Sequence, residues 1–484
     1  MIGNLKLGLD RRSFLAGASA LALTGARASQ AQAQAPLLTV ATRQIEVKRR
    51  GATVYGVSGA DGRLGHFASE GDSFAGEILN RTSEPLVMHW HGQIYAAEEQ
   101  DRSRPDGGAI ASGASDTHSF RLTPGTHWMH AHQLSEQQLL AAPMITRDKD
   151  AGDIQDVVIM LHDFAFRPPT EILAELGGAS AHGGHGLQVQ PPARTSGMSH
   201  GMMHGSGMRH GGHGAGMVHA NDVRYDAYLA NDRTLDDPEV IRVERGASVR
   251  LRIINGATAS AFFIDTGALD ARCIAVDGSS CQPMTGRRFP LAQGQRIDLA
   301  VTVPAQGGVF PILAQVEAAT MRTGIILATR GASVARIPDT AAVAAPHTDL
   351  SLDAALNARV PLPARRADRV IPMMLGEADG YRWLIDGAVH GRNRPHEFQL
   401  GQRVEITFMN PTSMMHPMHL HGHHFQVVGV GSRRFSGPVR DTVIVPPHMP
   451  VTVAVDLDKR GRWYLHCHHL YHMATGMMTE VVVS

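Results

Sequence analysis

Cysteine is nearly absent from this 484-residue sequence: only Cys273, Cys281 and Cys467 occur, which excludes a disulfide-built fold and any four-cysteine zinc site. For Cys273 and Cys281 two readings stand open, one bridge in an oxidising compartment or two inert buried thiols. Neither sign of charge prevails, with 45 basic residues against 45 acidic, so no broad attraction to nucleic acid or to an anionic membrane is expected. Long helical periodicity is missing too. Past the N-terminus no run is apolar and long enough to span a bilayer, and the expectation is a soluble protein that acts as a monomer.

The N-terminus carries its own grammar. Asp10-Arg11-Arg12-Ser13-Phe14-Leu15 precedes an Ala-rich apolar stretch to about Leu23, then Ala26-Arg27-Ala28, which fits small-residue cleavage. Residues 1–28 read as a twin-arginine signal, too short in its apolar part for the roughly 20 residues a membrane crossing needs. The mature protein is therefore expected to be periplasmic or secreted.

Histidine and methionine are abundant, at 28 and 22 residues. The rest is rich in Val, Thr, Gly and Pro, with alternating runs such as Val404-Glu405-Ile406-Thr407-Phe408. Alternation at period two between turn residues predicts antiparallel strands in sandwiches or barrels, and the chain length suggests three domains.

A repeat supports that number. A glycine followed nine residues later by an asparagine occurs three times, at Gly71 and Asn80, Gly246 and Asn255, and Gly401 and Asn410. Nine and eleven residues after Asn80 stand His89 and His91, followed by Gly92; the same steps from Asn410 reach His419, His421 and Gly422, whereas the middle copy has Ile264 and Thr266. In a second frame, Gly125 leads to His130 and His132 and Gly461 to His466 and His468, while a counterpart starting at Gly308 gives Leu313 and Gln315. Two frames that lose their histidines in the same unit predict three homologous β domains, 36–150, 151–335 and 346–484, with a metal site shared by the outer two.

The chemistry follows from strand geometry. Side chains two apart in a strand face one side, so each His-x-His presents two imidazoles to one point, and neutral imidazole is the commonest metal ligand. Four such pairs supply eight imidazoles, a set that suits three coppers. The third unit adds Cys467 between His466 and His468, with His472, Met477 and His416 at fixed distances; two histidines, a thiolate and a weak axial methionine make a blue-copper electron-transfer site. At the matching places the first unit has Leu86, Ala131, Glu136 and Ala141, which cannot build it. His466 and His468 flank Cys467 but face the other way, so a few covalent bonds connect the two sites.

The segments His89-Trp90-His91-Gly92, His130-Ala131-His132, His416-Pro417-Met418-His419-Leu420-His421-Gly422 and His466-Cys467-His468 through Met477 resemble the four copper motifs of the multicopper oxidases, a family of laccases, copper-resistance oxidases and cuprous oxidases. The resemblance implies an all-β fold of three consecutive cupredoxin-like Greek-key barrels and four copper ions. It implies His416, Cys467 and His472 for the type 1 copper with Met477 axial, His89 and His419 for type 2, and a type 3 pair dividing His91, His130 and His468 from His132, His421 and His466. Dioxygen would take four electrons and four protons to give water. Asp106-Gly107 resembles the family's Asp-Gly, whose acid lies near the cluster. A solvent-exposed turn aspartate is the other reading, and the stretch from His91 is longer than usual.

The reductant is harder to read. Residues 178–220 interleave His182, His185, His200, His204, His210, His213 and His219 with Met198, Met202, Met203, Met208 and Met217, a low-complexity, soft-donor insert in the middle domain that suits extra copper as Cu(I). Met414 matches a methionine that helps hold substrate Cu(I) in the cuprous oxidases, although the acid expected upstream is Thr412 and a core role is the alternative. These features favour Cu(I) oxidation in copper tolerance. A phenolic reductant, as in laccases, and a copper-sequestering protein with incidental turnover are the alternatives. His423, His424 and His469 break the frame and are expected to support ligands or lie at the surface; His127 and Trp128 are expected to pack.

Overall fold

The computed structural model describes residues 37–179 and 220–484. Residues 1–28, expected to be an export signal, and, but for its ends, the histidine- and methionine-rich segment 178–220 lie outside them. The described chain is all β, built as three consecutive cupredoxin-like units of two sheets each. Alternation along the strands sets which face is buried. Ser73–Asn80 and Val309–Val316 bury every second side chain, and three separate hydrophobic clusters fill the spaces between sheets.

The topology repeats with the sequence. In each unit the opening strand lies parallel to the strand between the repeated glycine and asparagine: Leu37–Val47 beside Ser73–Asn80, Gln155–Phe164 beside Ser248–Asn255, and Arg369–Ala378 beside Arg403–Met409. Gly71, Gly246 and Gly401 have φ of +93°, +73° and +85°, the left-handed conformation that glycine adopts without a Cβ penalty.

The asparagines are structural clasps. Asn80 donates from Nδ2 to the carbonyls of Glu84 and Ile110 and accepts from the Thr82 N–H and hydroxyl. Asn410 repeats this with Met414, Val445 and Thr412, and Asn255 with Ser260, Leu291 and Ala257. A buried amide that satisfies loop carbonyls fixes where the next strand begins. That next strand carries the histidines in the outer units.

The histidine strands pair antiparallel: Met88–His91 with Gly125–Ala131, placing His89 opposite His130, and His416–Leu420 with Gly461–Cys467, placing His419 opposite His466. In the middle unit Ile264 faces Ala314, and Leu313 faces Asp265. The counterpart counted from Gly308 is thus displaced by one, because the middle strand has an extra residue between that glycine and the pair. Cys273 and Cys281 are free thiols, buried with Sγ atoms 4.0 Å apart. No helix among the described residues is long and apolar enough to cross a membrane.

Candidate metal centre

The third unit forms a small donor triangle. Cys467 Sγ lies 3.7 Å from His416 Nδ1 and 3.7 Å from His472 Nδ1, and the two nitrogens are 3.3 Å apart. A point equidistant from all three sits about 2.1 Å from each, the length of a metal–imidazole bond. Thr412 Oγ1, 2.9 Å from His416 Nε2, engages the opposite ring nitrogen and leaves Nδ1 for the triangle. Met477 is fully buried beside it, and its carbonyl accepts from the Cys467 N–H at 3.0 Å. Burial pushes the Cys467 thiol well up from its ordinary value, so the proton it loses must be replaced by a cation.

The other eight histidines converge from the first and third units, and all but His132 are almost fully buried. His89 and His419 point their Nε2 atoms at one another across 3.2 Å. His132, His421 and His466 form a second group, with Nε2 separations of 3.2 Å and 3.0 Å from His466. His91, His130 and His468 form a third, whose ring centroids are 5.1–5.7 Å apart. Each of these last three has a buried nitrogen without a hydrogen-bond partner: Nδ1 of His91 and Nε2 of His130 and His468. Unsatisfied buried nitrogens that face each other call for a ligand. Burial, reinforced by mutual repulsion, pushes His89, His91, His132, His421, His466 and His468 well below the ordinary imidazole value; the rings are neutral and ready to donate lone pairs. The donor set therefore fits metal ions at both places.

The opposite ring nitrogens are engaged by groups that the sequence reading did not single out as partners. Asp101 Oδ2 lies 2.6 Å from His89 Nδ1, Glu136 Oε2 lies 3.0 Å from His130 Nδ1, and Asp441 takes His91 Nε2 at 3.0 Å through Oδ1 and His419 Nδ1 at 2.8 Å through its carbonyl. Such partners fix tautomer and ring angle in histidine metal sites. Asp101 and Asp441 are driven apart electrically. Burial holds Asp101 well above the carboxylate range; burial acts on Asp441 too, but the Arg296 guanidinium outweighs it and pulls Asp441 far below that range.

Arg296 comes from the ligand-free middle unit. It grips Asp441 with both terminal nitrogens at 2.6 Å, donates through Nε to the Thr126 carbonyl and lies 3.3 Å from His127 Nδ1. Beside it, Gly294 approaches His468 so closely that a Cβ would lie 2.6 Å from the ring. His127, expected only to pack, is part of this brace, while Trp128 stacks on His130 at 4.2 Å.

Asp106 is 80% exposed in its side chain and pairs with Arg462 at 2.9 Å, so it stands at the surface while Asp101 stands at the histidines. Met414 is 6% exposed, in the third unit's hydrophobic core. His423 packs edge-on against Trp463, His424 lies 3.7 Å from Asp441, and His469 stacks on His472 at 3.7 Å. At the same place Asp222 reaches His469 Nε2 at 3.1 Å and His472 Nε2 at 3.5 Å, and it accepts from the Tyr381 hydroxyl.

Three family models, each described as multicopper oxidase, match residues 66–151, 195–334 and 368–484. The multicopper oxidase MmcO of Mycobacterium tuberculosis is 30% identical over 428 residues, covering 86% of this chain and 80% of its own. A copper resistance protein A homolog of Pseudomonas syringae pv. tomato is 23% identical, with 92% of both chains covered. The solved laccase from Botrytis aclada superposes with a TM-score of 0.73 at 22% identity, over 92% of this chain and 87% of that one.

Proposed function

The chain belongs to the multicopper oxidase family, and on that premise we propose that it oxidises Cu(I) one electron at a time and passes four electrons to dioxygen across four coppers. The protein is an oxidoreductase that uses dioxygen. The triangle of His416, Cys467 and His472, with Met477, would hold one copper; His89 and His419 a second; His91, His130 and His468 a third; His132, His421 and His466 a fourth. The chemistry supplied by bound copper is one-electron exchange at the first position and reduction of dioxygen to water at the other three.

The residues of the chain divide the remaining work. Cys467 joins the two places through its neighbours: His466 and His468 belong to different histidine groups, so the thiolate's electron reaches both by short covalent routes. Asp101 accepts from His89 Nδ1–H and, raised by burial, takes up a proton more readily than an ordinary carboxylate, whereas Asp441 stays ionised. We therefore assign Asp101, in place of Asp106, as the acid nearest the cage. Replacing Asp101 with Asn is expected to weaken metal held by His89 and His419 about 10- to 100-fold. Loss of the paramagnetic signal of that copper, with the blue band retained, is the measurement that checks it.

Asp222 is the observation that favours Cu(I). Its carboxylate is 19% exposed at the edge of the His416, Cys467 and His472 triangle, and it follows by two residues the end of the soft-donor segment 178–220. An anionic oxygen touching the imidazole that passes electrons inward suits a cationic reductant. A carboxylate there also suits a phenol hydroxyl, as its bond from the Tyr381 hydroxyl illustrates, which supports the laccase reading as the alternative. Oxygen uptake with Cu(I) and with a phenol, on the intact protein and on one lacking 178–220, decides between them. Cu(I) is expected to give the larger kcat/KM, and the deletion to lower that value alone. A larger value for the phenol, unchanged by the deletion, would sink the proposal. Uptake that stops at stoichiometric binding would point to sequestration.

A further inference from the structure

Outside the copper motifs, one cluster of soft donors has no assigned use. Cys273 lies in the strand Ala271–Val276 and Cys281 in its antiparallel partner Ser279–Gly286, the edge strand of the middle unit's larger sheet. Both are buried, at 0% and 2% exposure, with the sulfurs 4.0 Å apart. Met284 is paired directly opposite Cys273 across this hairpin and packs against the same core; directly opposed residues put their side chains on one face.

We propose that Cys273, Cys281 and Met284 form a separate Cu(I) site in the middle unit. With metal–sulfur bonds of about 2.3 Å, two sulfurs 4.0 Å apart subtend about 120° at a shared ion, the angle of a three-coordinate site and one that leaves room for a third donor. Two thiolates and a thioether select Cu(I) over harder ions, and three donors fall short of the four that zinc takes.

Entry of the ion is a substitution without electron transfer. Each thiol gives its proton to solvent, the ion sheds the ligands that carried it, two Cu–thiolate bonds and one Cu–thioether bond form, and the resulting complex carries one negative charge. The hydrogen bond the two sulfurs share holds the Cys281 thiol below its ordinary value and, with burial, Cys273 well above it, and the buried Arg440 guanidinium offsets part of that cost, so Cys281 gives up its proton first and Cys273 only as the ion binds. The sheet edge beside the cysteines is covered by residues 357–359 through two backbone bonds, Gln282 N–H to the Asn357 carbonyl at 2.8 Å and Arg359 N–H to the Ser280 carbonyl at 2.9 Å, and release of these two opens the way in.

The hairpin also touches the cage. At its tip, Asp277 accepts from the Arg296 N–H at 2.8 Å and the Thr442 N–H at 3.4 Å, so an ion clamping the two strands braces the support of Asp441. The site does not depend on which reductant the oxidase uses.

The test is an anaerobic titration of the full-length protein, its oxidase coppers in place and first reduced with excess ascorbate, with Cu(I) in competition with bicinchoninate, comparing the unaltered protein with Cys273→Ala/Cys281→Ala. The unaltered protein is expected to hold one more Cu(I), with a thiolate-to-metal band in the near ultraviolet that the variant lacks. Met284→Leu is expected to keep that ion about tenfold more weakly. The blue band of the oxidised protein, recorded before reduction, reports that each variant is folded. Should the double variant lose it, alkylation of the unaltered protein answers instead, since Cu(I) must slow modification of Cys273 and Cys281. Equal Cu(I) binding by two folded proteins, alkylation indifferent to Cu(I), or a chain mass short by two hydrogens that thiol reductants do not restore would overturn the site.

Discussion

Cys467→Ser is expected to erase the blue absorption and bring oxygen uptake down to background, while the eight-histidine cage still binds metal. The sulfur is one corner of the 3.3–3.7 Å triangle and the covalent junction to His466 and His468. Serine keeps the backbone route but offers a hard, protonated oxygen where a soft thiolate is needed. Metal analysis and electron paramagnetic resonance check the outcome: one copper fewer per chain, with the cage signals intact. Oxygen uptake near the original rate would mean that electrons enter the cage by another route.

Asp441→Ala has a different signature, because two functions meet there. Arg296 is 0% exposed and Asp441 1%, so removing the carboxylate strands a buried guanidinium, which costs about 3–5 kcal/mol. The loss appears in a denaturant midpoint. The same change removes the carboxylate from His91 Nε2, while His419 Nδ1 keeps the main-chain carbonyl of residue 441, and is expected to weaken the metal held by the His91 group about 10- to 100-fold. The joint replacement Arg296→Met/Asp441→Leu separates the two effects. An apolar pair of similar volume often matches or exceeds a buried ion pair in stability, so the midpoint is expected to recover while the metal affinity does not. Recovery of both would reduce Asp441 to a purely structural counter-ion.

The sequence made the skeleton of this site readable and hid its supports, for a physical reason in each case. The repeated glycine and asparagine stand out because backbone geometry dictates them: a left-handed turn at Gly71 and an amide clasp at Asn80 recur wherever the same loop must be closed. The His-x-His pairs stand out because a strand enforces spacing two. Asp101, Glu136 and Asp441 carry no such constraint. A carboxylate need only reach a ring nitrogen, and Asp441 does so for His91 from 350 residues away in sequence.

Glu136 had one usable signal: it occupies, in the first unit, the place that His472 holds in the third, so a position that no longer binds metal in that frame orients a ligand instead. Asp106 fits the family pattern by its neighbour Gly107, but the extra length after His91 carries it past the histidines to Arg462, leaving Asp101 in its stead. The middle unit reads as empty because it lacks the histidine pairs, yet Gly294 and Arg296 reach the cage through a turn whose chemistry is invisible without its neighbours.

The order of synthesis gives that turn a further meaning. Every donor of the sulfur triangle lies between His416 and Met477, so that pocket matures within one unit. The cage needs His89 from near the beginning, Arg296 from the centre and His468 from near the end. A ribosome that has released only two units holds half a cage, braced on one side and open on the other, and copper arriving then meets four imidazoles with no partner group. Safe loading thus belongs to the nearly finished chain, since the strand that shuts the door, Gly461–Cys467, is followed by only one more among the described residues.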